Sequence, residues 1–360
     1  MKPADLVVIG GGPAGTAAAI RAARSGMHVL LLEAGRFPRH KVCGEFVSAE
    51  SLELLGHLLH ARQKSLLNNA LRIGLARLFV DGYEVPAEIR PAAASIPRYD
   101  LDAGLWDSAK RAGVEASDHA KVQEIRGTGP FLVRTAAGEI EARALLNASG
   151  RWSNLRSTHT VKHQNGTKWI GLKAHYAETS ASQSVDLYFF PGGYCGVQPV
   201  DGARVNACAM VRADVATTLA DVLALHPALR ERSRSWHMVS EPVSVAPLQF
   251  EMPQPLQEGM LAAGDAAAFV DPFIGDGISL ALRSGALAAQ CLTGFLNRQT
   301  SLEDAARQYQ QAYRQQFVSI FRSSSRLRRM LSLPRTVRVP IAFVLQRNPA
   351  IARYLVKQTR

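Results

Sequence analysis

Several things are scarce in this 360-residue chain, and each scarcity closes off a class of protein. Only four cysteines occur, Cys43, Cys195, Cys208 and Cys291, and none belongs to a C-x-x-C pair. No disulfide framework or zinc site is expected, and the thiols read as reduced thiols of a cytoplasmic protein. Long apolar runs are missing as well. Nothing approaches the ~20 residues that cross a bilayer, and Ile341–Leu345 is far too short. The first strand begins almost at once, which leaves no room for a secretory leader. The histidines are scattered and no nucleophile elbow is present, so metal binding and Ser/His/Asp hydrolysis find no support. Finally, acidic residues stop at Asp304. Arg307, Arg314, Arg322, Arg326, Arg328, Arg329, Arg335, Arg338, Arg347, Arg353, Lys357 and Arg360 follow it, while residues 1–304 hold 30 basic and 30 acidic residues. The net charge of +12 therefore sits in the tail. A tail-localised excess on a neutral body points to an anionic surface or substrate, and away from nucleic acid.

What is present starts with Asp5–Gly15, DLVVIGGGPAG. Leu6–Gly10 reads as a buried parallel strand, and Gly10-x-Gly12-x-x-Gly15 turns it into an alanine-rich helix, Ala14–Ala23. This is the dinucleotide fingerprint in its required context. Gly10 permits the tight turn, Gly12 lets backbone approach a pyrophosphate, and Gly15 lets helix and strand pack closely. The helix N-terminus offers free N–H groups to phosphate. A second strand, His28–Leu32, ends at Glu33, where a carboxylate can take both ribose hydroxyls and repels a 2′-phosphate. Gly10, Gly12, Pro13, Ala14, Gly15, Glu33 and Ala34 are the first candidate cofactor residues. The motif alone fits either NAD or FAD.

Further along, Ser48 is expected to cap a helix to Leu59, and residues 71–90 alternate as a hairpin turning at Asp81-Gly82. Pro97 precedes a helix, Tyr99–Arg111, and short strands follow near Ala120–Ile125, Phe131–Thr135 and Ala144–Asn147. From Lys168 to Val211 four strands alternate, with turns at Pro191-Gly192-Gly193 and Asp201-Gly202. A helical stretch, Asp214–Leu229, and a strand, Pro242–Leu248, come next. Beyond Gly264 the pattern is helical: Ile278–Leu296, Leu302–Leu331, and two short pieces broken by Pro334, Pro340 and Pro349.

The second informative stretch is Leu261–Gly285, LAAGDAAAFVDPFIGDGISLALRSG. An apolar strand ends at Gly264-Asp265, where a carboxylate can bind the hydroxyls of an extended polyol. Pro272, Gly275 and Gly277 then form a turn ahead of a helix starting at Ile278, whose N-terminus suits negative partial charge. A polyol-binding acid set apart from a second helix terminus fits FAD, with its ribityl chain, better than NAD.

With these residues in place the sequence resembles FAD-dependent oxidoreductases of the geranylgeranyl reductase type, relatives of p-hydroxybenzoate hydroxylase and the flavin-dependent halogenases. The resemblance spans roughly residues 4–300. It rests on Gly10–Gly15, Lys41-x-Cys43-Gly44, Arg98-x-x-Leu101-Asp102, Ala148–Arg156, Tyr194–Pro199 and Gly264-Asp265 through Gly285. It implies an α/β fold: a Rossmann-type FAD-binding body (1–70, 95–165 and 250–300) with an inserted antiparallel β-sheet substrate domain (71–94 and 166–249) and a basic helical C-terminus (301–360). It also implies cofactor contacts at Arg98, Gly150, Asp265, Gly275, Gly277 and Ile278. Lys41 and Cys43 would lie near the flavin ring, and with Tyr194 they are the candidate catalytic residues. His175, Tyr194 and Gln198 are the candidate substrate contacts, with Tyr176 beside His175.

Three departures from the family patterns matter. In Asn147–Arg156, Gly150, Ser153 and Arg156 match the D-G-x-x-S-x-x-R pattern, but Ser149 replaces its aspartate, which argues against hydroxylase-style NADPH handling. In Tyr194–Pro199, Gly196 and Gln198 replace the aromatics of the reductase motif Y-x-W-x-F-P, so a geranylgeranyl substrate does not carry over. The halogenase motif W-x-W-x-I-P is absent. The expected activity is two-electron chemistry on a large, mostly apolar small molecule such as an isoprenoid or polyketide, with double-bond reduction ahead of aromatic monooxygenation. The reductant is NADPH, NADH or a protein donor. A non-catalytic flavin protein at a membrane is the remaining alternative. The basic C-terminus, where Arg326–Leu331 mixes charge with apolar residues, suits peripheral contact with the inner face of a membrane.

Overall fold

The computed structural model of the chain describes residues 3–151, 155, 168–179, 182–331 and 333–348. Ser153, Arg156, Pro349, Arg353, Lys357 and Arg360, used in the sequence reading, lie outside them. The chain opens with β1 (Ala4–Ile9), α1 (Pro13–Arg24) and β2 (Val29–Leu32). Then come β3 (Phe46–Val47), α2 (Leu52–Leu58), α3 (Ser65–Asn68) and the hairpin β4 (Leu71–Val80) to β5 (Tyr83–Ser95). α4 (Arg98–Arg111) leads to β6 (Glu115–Ser117), β7 (Val122–Arg126), β8 (Phe131–Thr135) and β9 (Gly138–Asn147). Four long strands follow: β10 (Trp169–Ala177), β11 (Ser184–Phe190), β12 (Gly193–Pro199) and β13 (Arg204–Arg212). α5 (Leu219–Leu225), α6 (Pro227–Arg232), β14 (His237–Met238) and β15 (Val243–Leu248) come next. β16 (Leu256–Gln257) and β17 (Met260–Ala262) precede α7 (Gly277–Leu296), α8 (Leu302–Leu331) and α9 (Arg335–Arg347).

Two sheets result. The first runs β16-β17-β9-β1-β2-β6, with β7 and β8 attached through β9. Its centre is parallel: β1 pairs with β2 and β9, and β17 pairs with β9. Such strands are covered on both faces and need continuous apolar runs, and Leu6, Val7 and Val8 are all fully buried. α1 packs its alanine face, Ala17–Ala19, on this sheet and lies against α7. The helices meet at small residues: a Cβ added to Gly285 would stand 2.0 Å from the Ala14 carbonyl oxygen.

The second sheet runs β14-β10-β13-β12-β11-β4-β5-β3, with β15 also on β10. Its pairs are antiparallel except β11 with β4. The β4–β5 turn is Asp81-Gly82, both with positive φ, as a two-residue hairpin needs. The registers align Lys173, Cys208, Gly196, Leu187, Leu78 and Val85 in one row across the sheet's inner face. The outer face is covered by α5 and α6, with Leu219, Val222, Leu229 and Trp236 buried on it.

Two sequence expectations change here. Ser48 does not cap a helix through its side chain. Its Oγ donates to Asp276 Oδ1 at 2.8 Å and lies 2.6 Å from Ser279 Oγ, so it ties its segment to the start of α7. Pro340 does not break the C-terminal region but lies inside α9. The basic region is also no loose appendage. Tyr309, Tyr313 and Phe317 of α8 belong to the main core, and the Tyr309 hydroxyl donates to the Ala262 carbonyl at 2.8 Å. No helix among the described residues is long and apolar enough to cross a membrane.

Candidate functional site

The glycines of the cofactor motifs fall into two groups by what surrounds them. Gly10 has φ +103°, and a Cβ there would stand 2.3 Å from the Ala148 carbonyl oxygen; at Gly15 it would meet the Gly10 oxygen at 1.8 Å. These two close the β1–α1 turn on itself, as does Gly264, whose Cβ would be 2.9 Å from that of Ala14. Gly12 differs: the nearest atom is the Arg98 guanidinium, 4.0 Å away. Gly44 and Gly150 have nothing within 4 Å, and Gly277 only Val270, at 3.9 Å. A cradle that side chains would fill is thus left open along the loops expected to meet FAD, and the residues present fit that cofactor. The first turn of α1 holds no acid and no side-chain cap, so its N-terminal dipole is uncompensated.

Glu33 is buried at the end of β2. Its Oε2 accepts from the Gly11 amide, and its Oε1 from the Gly35 amide and Arg39, all at 2.8 Å. Burial alone would raise its pKa, but Arg39 and the two amides win and hold the carboxyl below its ordinary range. Ala34 beside it is exposed. Arg98, at the first turn of α4, makes two 2.6 Å bonds to Asp102, which keep the half-buried guanidinium charged. Asp265 follows β17 and pairs with Arg151 at 3.2 Å. Arg151 lies over the Phe269 ring at 4.0 Å, and its Nη1 has no partner. Gly275 turns the chain against the Phe46 ring, and Ile278 is buried in the first turn of α7.

Lys41 is exposed and Cys43 half-buried. Packing around the Cys43 thiol pushes its pKa up, with Arg98 only partly offsetting this, so the group stays a thiol at neutral pH. The next residues hold a cluster that sequence reasoning missed. Glu45, fully buried with φ +62°, accepts from Lys173 Nζ and from the Arg98 amide on Oε1, at 2.7 and 3.0 Å. Its Oε2 is 2.7 Å from His175 Nε2. Burial would raise its pKa, but His175 and Lys173 together hold it low. The cluster ties the loop 43–45 to β10. The available signal was Lys173 and His175, two polar residues two positions apart in the otherwise apolar run Trp169–Ala177.

A cavity of about 180 Å³ lies between the inner face of the second sheet and the loop Pro272–Gly275. Leu78, Leu187, Phe189 and Tyr194 supply apolar wall, and Gly44 and Gln198 also line it. Leu327 and Met330 of α8 and Leu345 of α9 close it. Tyr194 and Gln198 thus line one space, and burial holds the Tyr194 phenol firmly protonated. His175 is not in the cavity lining but bonded to Glu45. Tyr176 faces the opposite side and packs on Trp236, because neighbours along a strand point to opposite faces. Of the Lys41–Gly44 segment, only Gly44 reaches the cavity.

Residues 5–84 match the family model of FAD dependent oxidoreductases. A menaquinone reductase of Mycolicibacterium smegmatis is 27% identical, over 94% of this chain and 88% of its own. A digeranylgeranylglycerophospholipid reductase of Methanopyrus kandleri is 26% identical, over 91% and 86%. Among solved structures, a geranylgeranyl bacteriochlorophyll reductase-like protein of Thermoplasma acidophilum superposes with TM-score 0.76 at 18% identity, over 100% of this chain and 96% of the other. A flavin-dependent brominase has the same fold at TM-score 0.74 and 19% identity, over 99% of each chain. The likeness runs along nearly the whole chain, and so the protein is an enzyme, an FAD-dependent oxidoreductase that is similar to those of the geranylgeranyl reductase type.

Proposed function

We propose that this enzyme reduces a carbon–carbon double bond in a large, mostly apolar small molecule of isoprenoid or polyketide character. The observation behind this is the apolar cavity bounded by Gly44 and by Pro272–Gly275, the two loops that flank the start of α7. The reductase names of the two curated relatives point the same way. Bound FAD supplies hydride chemistry, with electrons from NADH, NADPH or a protein donor. The chain's part is to bind and orient. The amides at Gly10–Gly15 would hold the pyrophosphate, with Pro13 and Ala14 in the first turn and Arg98 alongside. Glu33 and Ala34 would meet the adenosine ribose, Gly150 the pyrophosphate region, and Asp265 the ribityl chain. Gly275–Ile278 would face the ring end, with Lys41 and Cys43 beside it. Tyr194 and Gln198 would contact substrate, and the cavity's apolar walls would exclude water from it.

The test uses holoprotein reduced anaerobically with dithionite and given a menaquinone or a geranylgeranyl lipid. A product that keeps two added hydrogens after reoxidation in air supports the reductase. A product that gains one oxygen atom when air is admitted supports the monooxygenase instead. Gly12→Val is expected to give colourless protein; full flavin occupancy in that variant would contradict the placement of FAD.

A second observation concerns the C-terminus. α9 sends Leu345 into the cavity while Val337, Phe343 and Val344 stay exposed beside Arg335 and Arg347. This suits an anionic lipid face, from which an apolar substrate would enter the cavity directly. Vesicles containing phosphatidylglycerol should float the wild-type chain but not Val337→Asp/Phe343→Asp; equal flotation of both would dismiss the contact.

A further inference from the structure

Two oxygen atoms on the inner face of the second sheet have no partner among the described residues. Gln198 of β12 and Asn206 of β13 are 2% and 1% exposed and stand directly opposite each other. Their side chains therefore leave the sheet on the same side, with Cβ atoms about 5 Å apart. Gln198 lines the cavity, and so does Cys208, two residues from Asn206. Asn206 donates Nδ2 to the Cys43 carbonyl at 2.9 Å. A carbonyl can only accept, so the amide is fixed in orientation and Oδ1 is the atom left over. Gln198 donates Nε2 to Ser95 Oγ at 2.8 Å and is left with Oε1.

Both leftover atoms are acceptors, and buried acceptors call for a donor. The neighbouring donors do not serve: Lys173, in the adjacent row, and His175 Nε2, directly opposite Asn206, are both bonded to Glu45. A carboxylate or a ketone presented here would set acceptor against acceptor. The rest of the cavity wall is largely hydrocarbon. Gln198 is also one of the two positions where this chain departs from the aromatics of the reductase motif, so a polar group replaces an apolar one at this wall.

We propose that Gln198 and Asn206 form a hydrogen-bond-accepting subsite for the hydroxyl of an otherwise apolar ligand, a phenol or alcohol whose hydrocarbon body lies along Leu78, Leu187 and Phe189. The subsite deepens the proposed function and rests on the cavity being the substrate site.

Two probes separate the donor from the hydrocarbon: 2-naphthol, which carries the hydroxyl, and 2-methoxynaphthalene, which keeps the oxygen but cannot donate. Each is titrated into the FAD-loaded protein by calorimetry. Wild type is expected to bind 2-naphthol at least about tenfold more tightly, the size of one buried hydrogen bond. Gln198→Met keeps the length and removes the acceptor, and should bring the ratio close to one while leaving the affinity for 2-methoxynaphthalene within about threefold. Asn206→Ala should lower the ratio too; flavin content and melting temperature show whether either variant is folded. Equal affinities in wild type, binding of neither probe, or an undiminished ratio in Gln198→Met would overturn the subsite. Failure of the underlying reading looks different. Leu187→Trp, which fills the cavity, would then leave reduction of the lipophilic substrate unchanged, whatever the naphthol ratio.

Discussion

One sheet treats buried polar atoms in opposite ways on its two faces. On the outer face Asp186, fully buried, accepts from Arg77 at 2.7 and 2.5 Å, from Ser184 at 2.7 Å and from Arg232 at 2.6 Å. Arg232 continues to Glu178 with two bonds of 2.7 Å, and Trp236 Nε1 donates to the same carboxylate. Every lone-pair direction of Asp186 is used. Asp186 pairs across the ladder with Val197, and the next residue is Gln198 on the inner face, with its oxygen unpaired. The same chain, one residue apart, finishes one face and leaves the other open. The outer face is complete in itself, whereas the inner face leaves the oxygens of Gln198 and Asn206 without a partner among the described residues.

The comparison breaks most visibly at Asp186. Asp186→Ala takes a buried carboxylate partner from two part-buried guanidinium groups, leaving Arg232 with Glu178 and Arg77 with Glu84 alone, and should cost about 3 kcal/mol in urea denaturation. A cost below about 1 kcal/mol would place this network with ordinary surface pairs. Next in size is Glu45, the buried carboxylate that ties its loop to β10. Its pKa is depressed in the folded state, so its contribution is full above the ordinary carboxylate range and is lost as pH falls through that range. Glu45→Gln should lower stability at neutral pH by about 1.5–3 kcal/mol and flatten the acid limb of the pH–stability curve. An unchanged acid limb would mean that Glu45 does not carry it.

Asp271, ahead of the cavity loop, has the opposite sign. Burial raises its pKa to about 7, with Arg328 at 3.7 Å only partly offsetting this. The folded state then holds a proton that the unfolded state releases, so stability falls as pH rises from the ordinary carboxylate range to about 7. Asp271→Asn should remove that fall, and chemical denaturation at pH values on either side of the window measures it. The smallest effect is expected at Gln198. Gln198→Met exchanges one hydrogen bond for one relieved acceptor, so ligand-free stability should move by less than about 1 kcal/mol in either direction. A large loss would show that its oxygen was satisfied after all.

How much of this was legible in the sequence depends on where the information sits. The nucleotide end is written in backbone geometry. Gly10 and Gly15 are glycine because carbonyl oxygens stand where Cβ would be, so their spacing alone announces the turn. Period-two patterning likewise placed β8 within its observed bounds and the long strands β10 to β13 within a residue or so. Ser48 misled because its preference for a cap is local, while its partners on α7 are 228 and 231 residues away. Glu45 with Lys173 and His175 was hidden for the same reason, at separations of 128 and 130 residues. Tyr176 was grouped with the cavity residues because composition gives a strand but not which of its faces looks inward, whereas His175 does lie on the inner face, opposite Asn206, but is taken up by Glu45. The roof of the cavity was unreadable: nothing local in Leu327 or Met330 says that a basic helix will end against a sheet more than a hundred residues upstream.

That roof has an evolutionary side. α8 is 30 residues long, or about 45 Å of rigid rod. Its early turns are fixed in the core through Tyr309 and Phe317, and its last turns furnish pocket wall. Under the proposed function, residues of α8 and α9 therefore help set which molecules fit, at a distance from the loops proposed to hold the nucleotide. Substitution at Leu327, Met330 or Leu345 can alter ligand preference while the glycine turn and Glu33 stay untouched. A lineage can thus change its chemistry's target by editing its tail and inherit the redox machinery intact.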